Sequence, residues 1–457
     1  MKRTKEVVLM VKGKGFGFLF EMGCGKTLTA IATLGTAYKL GKIEKVLIIA
    51  PTSVCSVWPK EFEDYADFKY QTKVLLGDKD RRIKLLNDLE NFPFKALKVA
   101  VINYESTWRE GIFEALKDWN SDMIICDESQ RIKTHDAEQS KAIHRLGDQA
   151  RYRLILSGTP VQNNAIDLYS QYRFLDPTIF GTNFYQFRNR YAIMGGFNRH
   201  QIVGYRDLDR LIQKEHSIAY RVTKEEALDL PEQTFLERRI VMTAKEKTIY
   251  DRIKRESFAE LEGGGQITVT TVLTKLLRLQ QFTGGFLVAD GKEKPELVSK
   301  GKLNALEEII DDYVIDAGKK LVIFARFRPE IDLIGQMLKK KKIRYGEIYG
   351  DVKLDDRGNI VKDFQTNPET MVFLAQIDTA GLGITLTAAD TCVYYSVNFN
   401  YAAYSQSLAR IHRIGQKNIC TYIHLITEKT VDETILKALA KKEDLAKTIV
   451  DTWRDYF

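Results

Sequence analysis

A chain of 457 residues can bury several hydrophobic cores, and its length favours two large lobes or about three smaller units. Its 69 Lys and Arg against 61 Asp and Glu leave a net charge of +8, a modest excess that permits a polyanionic partner without requiring one. The five cysteines (Cys24, Cys55, Cys126, Cys392, Cys420) lack CxxC or other zinc spacing, the six histidines form no metal-ligand set, and no signal peptide or membrane-length apolar run is visible, so a disulfide scaffold, a zinc module and a membrane protein are disfavoured and a soluble, cytoplasmic protein is expected.

The first predicted element is a strand over the apolar run 16–20, followed by the turn GCGKT at 23–27 and a helix opening at Thr27. A strand, a glycine-rich turn and a helix N-terminus make a phosphate cradle, because backbone N–H groups and the helix dipole point at the anion. Gly23 and Gly25 let the backbone approach, Cys24 reads as a small tolerated side chain between them, Lys26 would neutralise the β- and γ-phosphates, and the Thr27 hydroxyl would bind Mg²⁺. Phe20 stands where the general phosphate-loop pattern has its first glycine.

Further apolar runs at 46–50, 99–102, 123–126 and 154–156 alternate with the amphipathic stretches 80–89 and 137–146. Continuous apolar strands between helices predict a parallel sheet covered on both faces. The run MIICDESQ at 123–130 presents Asp127 and Glu128 at a strand's C-terminal end, where open parallel sheets bind ligands. Asp127 is read as a Mg²⁺ ligand and Glu128 as the group that polarises the attacking water.

Residues 166–300 read mainly as helical and polar, interrupted by Gly195–Gly196 and by the triplet Gly263, Gly264 and Gly265; they predict a helical insertion and linker. A second strand series follows at 321–324, 371–374, 391–395 and 421–426, with a helix over 330–339. The basic run 339–342 reads as a solvated face. Trp58 and Trp108 are expected to pack in the first lobe. The segment QSLARIHRIGQ at 406–416 sets Arg410 and Arg413 three residues apart, positions that share a face on a helix and could grip one phosphate. The expected fold class is therefore α/β, with a first lobe over 1–165, the insertion over 166–300 and a second lobe over 301–457.

In motif order the chain resembles the Swi/Snf-type ATPases, a branch of the superfamily-two helicases. MGCGKT resembles motif I, APTSVCSVWPKEF (50–62) motif Ia, VINYES (101–106) motif Ib, DESQRIK (127–133) motif II and LSGTPVQNN (156–164) motif III. DLYSQYRFLDPTIFG (167–181) and RVTKEEALDLP (221–231) match family segments, LVIFARF (321–327) resembles motif IV, DTAGLGITLTAAD (378–390) motif V and QSLARIHRIGQ motif VI. The resemblance implies two RecA-like lobes in tandem, with ATP and Mg²⁺ as cofactors. It implies that Gln130 couples the γ-phosphate to motif III and that Ser157, Gly158 and Thr159 relay that state. It also implies that Gln406 and Gly381 lie at the nucleotide, that Arg410 and Arg413 are arginine-finger candidates from the other lobe, and that Thr52, Ser53, Tyr104, Arg326 and Thr379 touch a nucleic-acid backbone. Such contacts hold phosphates without reading bases.

The implied function is an ATP-dependent translocase on double-stranded DNA, independent of sequence and monomeric. A strand-separating helicase, or a non-catalytic DNA-binding scaffold, are the alternatives; intact Lys26, Asp127, Glu128, Arg410 and Arg413 argue against the scaffold. No glutamine precedes the phosphate loop, where relatives carry one that contacts adenine, so ATP is implied by the resemblance alone. Thr385 stands where many relatives have Asn, and a minimal bacterial, archaeal or viral form is expected because no zinc-binding or chromatin-reading appendage is visible.

Overall fold

The computed structural model describes residues 14–196, 201–262, 269–288, 295–382 and 384–451. The chain divides into two compact units: the first runs to Leu228 and resumes at Lys442, and the second is Asp229–Lys441.

The first unit contains β1 (Gly15–Phe20), β2 (Lys45–Ala50), β3 (Tyr70–Val74), β4 (Leu97–Asn103), β5 (Met123–Asp127), β6 (Tyr152–Leu156), the antiparallel hairpin β7 (Ala192–Gly195) and β8 (Gln201–Tyr205), and β9 (Ala219–Val222). Except for that hairpin, these strands form one sheet in the order β3-β4-β2-β5-β6-β1-β9, parallel throughout. Successive side chains leave a strand on opposite faces. Leu47, Ile49, Ile124, Cys126 and Ile155 accordingly enter one core, while Val46, Ile48, Met123, Ile125, Leu154 and Leu156 enter the other. Helices Lys79–Glu90 and Glu138–Gln149 match the two amphipathic stretches.

The second unit contains β10 (Gln233–Ile240), the antiparallel pair β11 (Phe286–Val288) and β12 (Pro295–Leu297), β13 (Leu321–Ala325), β14 (Arg344–Ile348), β15 (Thr370–Gln376), β16 (Thr391–Tyr394) and β17 (Cys420–Thr427). Its sheet runs β10-β17-β16-β13-β15-β14, again parallel. Leu321, Ile323, Val372, Leu374, Val393 and Ile423 pack on one face against Ile331, Ile334 and Leu338 of helix Arg328–Lys340. The other face carries an aromatic stack in which ring centroids of Phe324 and Tyr394 lie 5.7 Å apart and those of Phe235 and Tyr422 5.1 Å apart. These two parallel sheets are the two RecA-like lobes that the motif order implies.

The stretch 166–300 does not stand apart as a helical body. Its helices Leu168–Leu175, Phe184–Tyr191 and Leu208–His216 and strand β9 lie in the first unit, whereas β10 and helices Ala244–Glu262 and Val269–Thr283 lie in the second. Two of the segment's strands, β9 and β10, form edges of the large sheets, and the others are short strands in two-stranded pairs. The glycine triplet at 263–265 lies outside the described residues, and Gly195 ends β7. Trp58 is buried as expected, but Trp108 is 47% exposed. Among the described residues, no helix is long and apolar enough to cross a membrane.

Candidate functional site

β1, β6 and β5 are adjacent in the first sheet, so the turns leaving their C-terminal ends converge. After β1 comes the glycine turn, and the helix Lys26–Lys39 starts immediately behind it with Gly25 as its N-cap. Gly23 and Gly25 have φ of 87° and 81°, a left-handed conformation that glycine adopts without a Cβ penalty. A side chain on Gly25 would meet nothing within 4 Å, so its backbone faces open space. Lys26 folds back over the turn, and its Nζ donates to the carbonyls of Phe20 at 2.8 Å and Glu21 at 3.3 Å. Phe20, in the position of the missing first glycine, thus contributes its backbone oxygen while its ring lies in the core. Desolvation lowers the Lys26 pKa, and the carboxylates of Glu128 and Asp127 oppose that shift. Burial raises the Cys24 thiol's pKa, reinforced by Glu21, so it is a protonated packing group.

Asp127 closes β5 and is buried. Its Oδ2 accepts from the Trp58 indole at 3.1 Å, and its carbonyl accepts from the Tyr104 hydroxyl at 2.8 Å. Burial, and then the charge of Glu128, push the Asp127 carboxyl upward, while Lys26 and the Trp58 bond pull it down. Glu128 follows at φ 55° and ψ 54°. A left-handed non-glycine residue costs about 1–3 kcal/mol and persists only where surroundings impose it, often at functional sites.

From Glu128 a chain of hydrogen bonds leads to the turn after β6. Gln130 Nε2 donates to Glu128 Oε2 at 2.5 Å, Ser157 Oγ donates to Gln130 Oε1 at 2.7 Å, and the Thr159 N–H donates to Ser157 Oγ at 3.1 Å. The structure therefore brings Glu128, Gln130, Ser157 and Thr159 into one connected network. Gly158 lies against the phosphate loop: a Cβ there would sit 3.3 Å from the Phe20 carbonyl and 3.4 Å from Lys26 Nζ.

Sequence spacing missed three residues here. Arg221 of β9 donates to the carbonyls of Leu19 at 3.0 Å and Gly158 at 3.2 Å and pairs with Glu21 at 2.9 Å, tying the two turns together. The sequence marks Trp58 only as a packing residue and carries no signal at Glu21. Their partners lie far away in the sequence, so no local pattern signals them; only the RVTKEEALDLP match marked the Arg221 neighbourhood.

In the second unit, helix Tyr401–Leu408 ends before either arginine of QSLARIHRIGQ. The expected shared helical face is replaced by a turn, because the helix closes at Ala409 and the chain must reach β17. The two guanidiniums still converge: Arg410 and Arg413 each donate to the Ile384 carbonyl, at 3.2 and 3.3 Å. Arg410 is only 2% exposed, whereas Arg413 is half-buried. Gln406 sits half-buried on the helix, and Gly381 lies in the 3₁₀ turn Ile377–Leu382. Gln416 is structural: its Nε2 donates to the Ala389 carbonyl at 2.9 Å and its Oε1 accepts the Lys417 and Asn418 N–H groups. His412 bonds the Pro231 carbonyl at 2.8 Å.

The nucleic-acid candidates divide. Thr52 is exposed and Ser53 half-buried, near Glu105, which accepts from Thr52 and Asn103 and pairs with Arg131. Tyr104 is corrected: it is fully buried, with its hydroxyl committed to Asp127, so it shapes the carboxylate turn and offers nothing to a passing strand. Thr379 is also buried, its hydroxyl donating to the Gln376 carbonyl at 2.5 Å. Arg326 is half-buried, and its guanidinium bonds the Gln280 carboxamide within the second unit.

The SNF2-related domain model matches residues 12–284, and the helicase conserved C-terminal domain model matches residues 301–415. Across 94% of its length the chain is 29% identical to the chromodomain-helicase-DNA-binding protein 1-like of Mus musculus, of which it covers 47%. It is 26% identical to an uncharacterized ATP-dependent helicase of Mycoplasma genitalium, with 94% of this chain and 40% of that protein covered. The chain thus spans less than half the length of these curated relatives. A solved structure described as the Sulfolobus solfataricus SWI2/SNF2 ATPase core in complex with dsDNA is 25% identical, with a TM-score of 0.44 and 99% and 92% of the two chains covered. With more than half its residues matched by the first model, the chain belongs to the SNF2-related family.

Proposed function

We propose that this chain is a nucleic-acid-stimulated ATPase that translocates along double-stranded DNA. The observation that carries the reading is the convergence of the phosphate loop, the DESQ box and the SGTP segment at the ends of three neighbouring parallel strands, joined by the Glu128–Gln130–Ser157 network. Family membership supports it, as do relatives whose names describe ATP-dependent helicases and a helicase-DNA-binding protein.

Mg²⁺ fits the donors present. Among the described residues no group of three or more His, Cys, Asp and Glu side chains could cage a metal. A half-buried Thr27 hydroxyl and a buried Asp127 carboxylate are hard oxygen donors of the kind that would hold Mg²⁺ together with a nucleotide. When bound, it supplies charge neutralisation to the phosphates. Gly23, Gly25 and the helix N-terminus hold the phosphates, and Lys26 adds positive charge. Glu128 orients the attacking water and takes its proton, while Trp58 and Arg221 keep the surrounding turns in place. Gln130 and Ser157 pass the occupancy of Glu128's neighbourhood to the SGTP segment. Arg413 is proposed as the arginine of the RIHRIGQ segment on which turnover depends. Thr52 and Ser53, with Arg131, which pairs with the same Glu105 carboxylate that accepts from Thr52, are proposed to grip phosphates of the duplex.

The deciding experiment compares ATP turnover without nucleic acid and with single-stranded DNA, duplex DNA and RNA, alongside triplex displacement. Duplex DNA is expected to stimulate most and to support displacement. Stimulation by single strands alone would favour a strand-separating helicase, and no turnover would leave a binding scaffold. Duplex affinity is expected to fall steeply with salt, because counterion release dominates phosphate contacts; a flat salt response would overturn backbone tracking.

A second test uses the close approach at Gly158. Gly158→Val is expected to crowd Lys26 and weaken nucleotide binding about ten-fold or more, since overpacking costs about 1–3 kcal/mol. Unchanged affinity in a fluorescent-nucleotide titration would show that Lys26 does not hold the nucleotide.

A further inference from the structure

Helix Leu168–Leu175 buries Leu168, Tyr172 and Phe174 as ordinary packing groups, yet it also buries Gln171 completely. A carboxamide in such a place is stable only if both of its ends are bonded. Both are. Its Oε1 accepts from Ser129 Oγ at 2.7 Å, and its Nε2 donates to the carbonyls of Pro160 at 2.8 Å and Asp167 at 2.9 Å. Ser129 is fully buried and stands between Glu128 and Gln130, while Pro160 directly follows Ser157, Gly158 and Thr159. A leucine or methionine would satisfy packing alone, so the polar bonds call for a further explanation.

We propose that Gln171 is a positioning residue that locks the SGTP segment to the DESQ box. The proposal rests on the nucleotide-site reading above. The Glu128–Gln130–Ser157 chain joins these two turns by one route, and Ser129–Gln171–Pro160 joins them by a second. With two ties, the turns move together. A displacement that nucleotide causes at Glu128 is then carried to residues 157–166 instead of being absorbed by rotation about a single link.

The test is hydrogen–deuterium exchange of the full chain with and without a non-hydrolysable ATP analogue, for the wild type, Gln171→Met and Ser129→Ala. In the wild type the analogue is expected to slow exchange at 23–29 and at 157–166. In both variants the response at 23–29 is expected to persist while that at 157–166 falls at least several-fold. A brace that merely stabilises would raise exchange equally with and without nucleotide and leave the difference intact. A wild-type-like response at 157–166 in the folded variants overturns the proposal, as does a wild type that responds only at 23–29. A wild type without any response at 23–29 overturns the nucleotide-site reading and this inference with it. Ser129→Ala removes one hydroxyl and keeps Gln171's bonds to Pro160 and Asp167, so it decides the question if Gln171→Met does not fold.

Discussion

Arg413→Ala is expected to lower ATP turnover by about 10³–10⁵ while leaving ATP affinity nearly unchanged, the signature of a charge used only as the phosphoryl group transfers. The two arginines of the segment are not equivalent. Arg410 is 2% exposed and donates to the Ile384 carbonyl, so its truncation is expected to act mainly on the stability of the second unit. Arg413 is half-buried and shares that carbonyl through one guanidinium nitrogen. A lysine at 413 keeps the charge but loses the fork, so Arg413→Lys should recover little activity. Steady-state kinetics, a nucleotide titration and a thermal melt separate these outcomes. Near-normal turnover of Arg413→Ala would remove it from catalysis, and a large fall in melting temperature would reassign it to structure.

Glu128→Gln is expected to bind ATP and to slow hydrolysis by about 10²–10⁴, the range typical of a lost general base. The change is nearly isosteric, and a carboxamide oxygen can still accept the Gln130 bond, so the network to Ser157 should survive. Its removal of charge also reaches Asp127, whose carboxyl Glu128 pushes upward. Glu128's left-handed backbone supports this assignment, because that conformation aims the side chain away from the path a continuing strand would give it. Single-turnover measurements check the prediction. Unimpaired turnover would assign water activation elsewhere, and loss of nucleotide binding would show that the substitution disturbs the phosphate cradle instead.

The parts of the fold legible in the sequence follow from burial. The interior strands β1, β2, β4, β5 and β6 of the first sheet, and β13, β15, β16 and β17 of the second, read as apolar runs because helices or loops cover both faces. Within the two large sheets the strands without an apolar run are β3, β9, β10 and β14, and these are the four edges of those sheets; the two-stranded pairs β7-β8 and β11-β12 also lack a sequence signal. YQTKV of β3 is half-buried throughout, and QTFLERRI of β10 is exposed along nearly its whole length. Edge strands carry charge and polarity, which erase the pattern used to find them. The same blindness made the 166–300 stretch look like an insertion, although β9 and β10 complete one sheet each.

At the site, local chemistry was readable and solvent exposure was not. The glycine turn at Gly23, Gly25 and Lys26 and the strand-end pair Asp127 and Glu128 are legible because both are built from neighbours in sequence, through φ angles and helix starts that act over a few residues. The motif order brought Gln130, Ser157 and Gly158 with them. Tyr104 and Thr379 were misplaced at the surface because a motif match carries no information about burial. The sequence by itself thus determined the two parallel-sheet lobes and the local form of the glycine turn and the strand-end acids. Only the tertiary structure decided which polar groups hold those turns together. Trp58 on Asp127, Tyr104 on the Asp127 carbonyl, Arg221 between Glu21 and Gly158, and Gln171 between Ser129 and Pro160 all join residues distant in the chain. Such partners are chosen by packing, since a buried donor must find whichever acceptor the fold brings within reach.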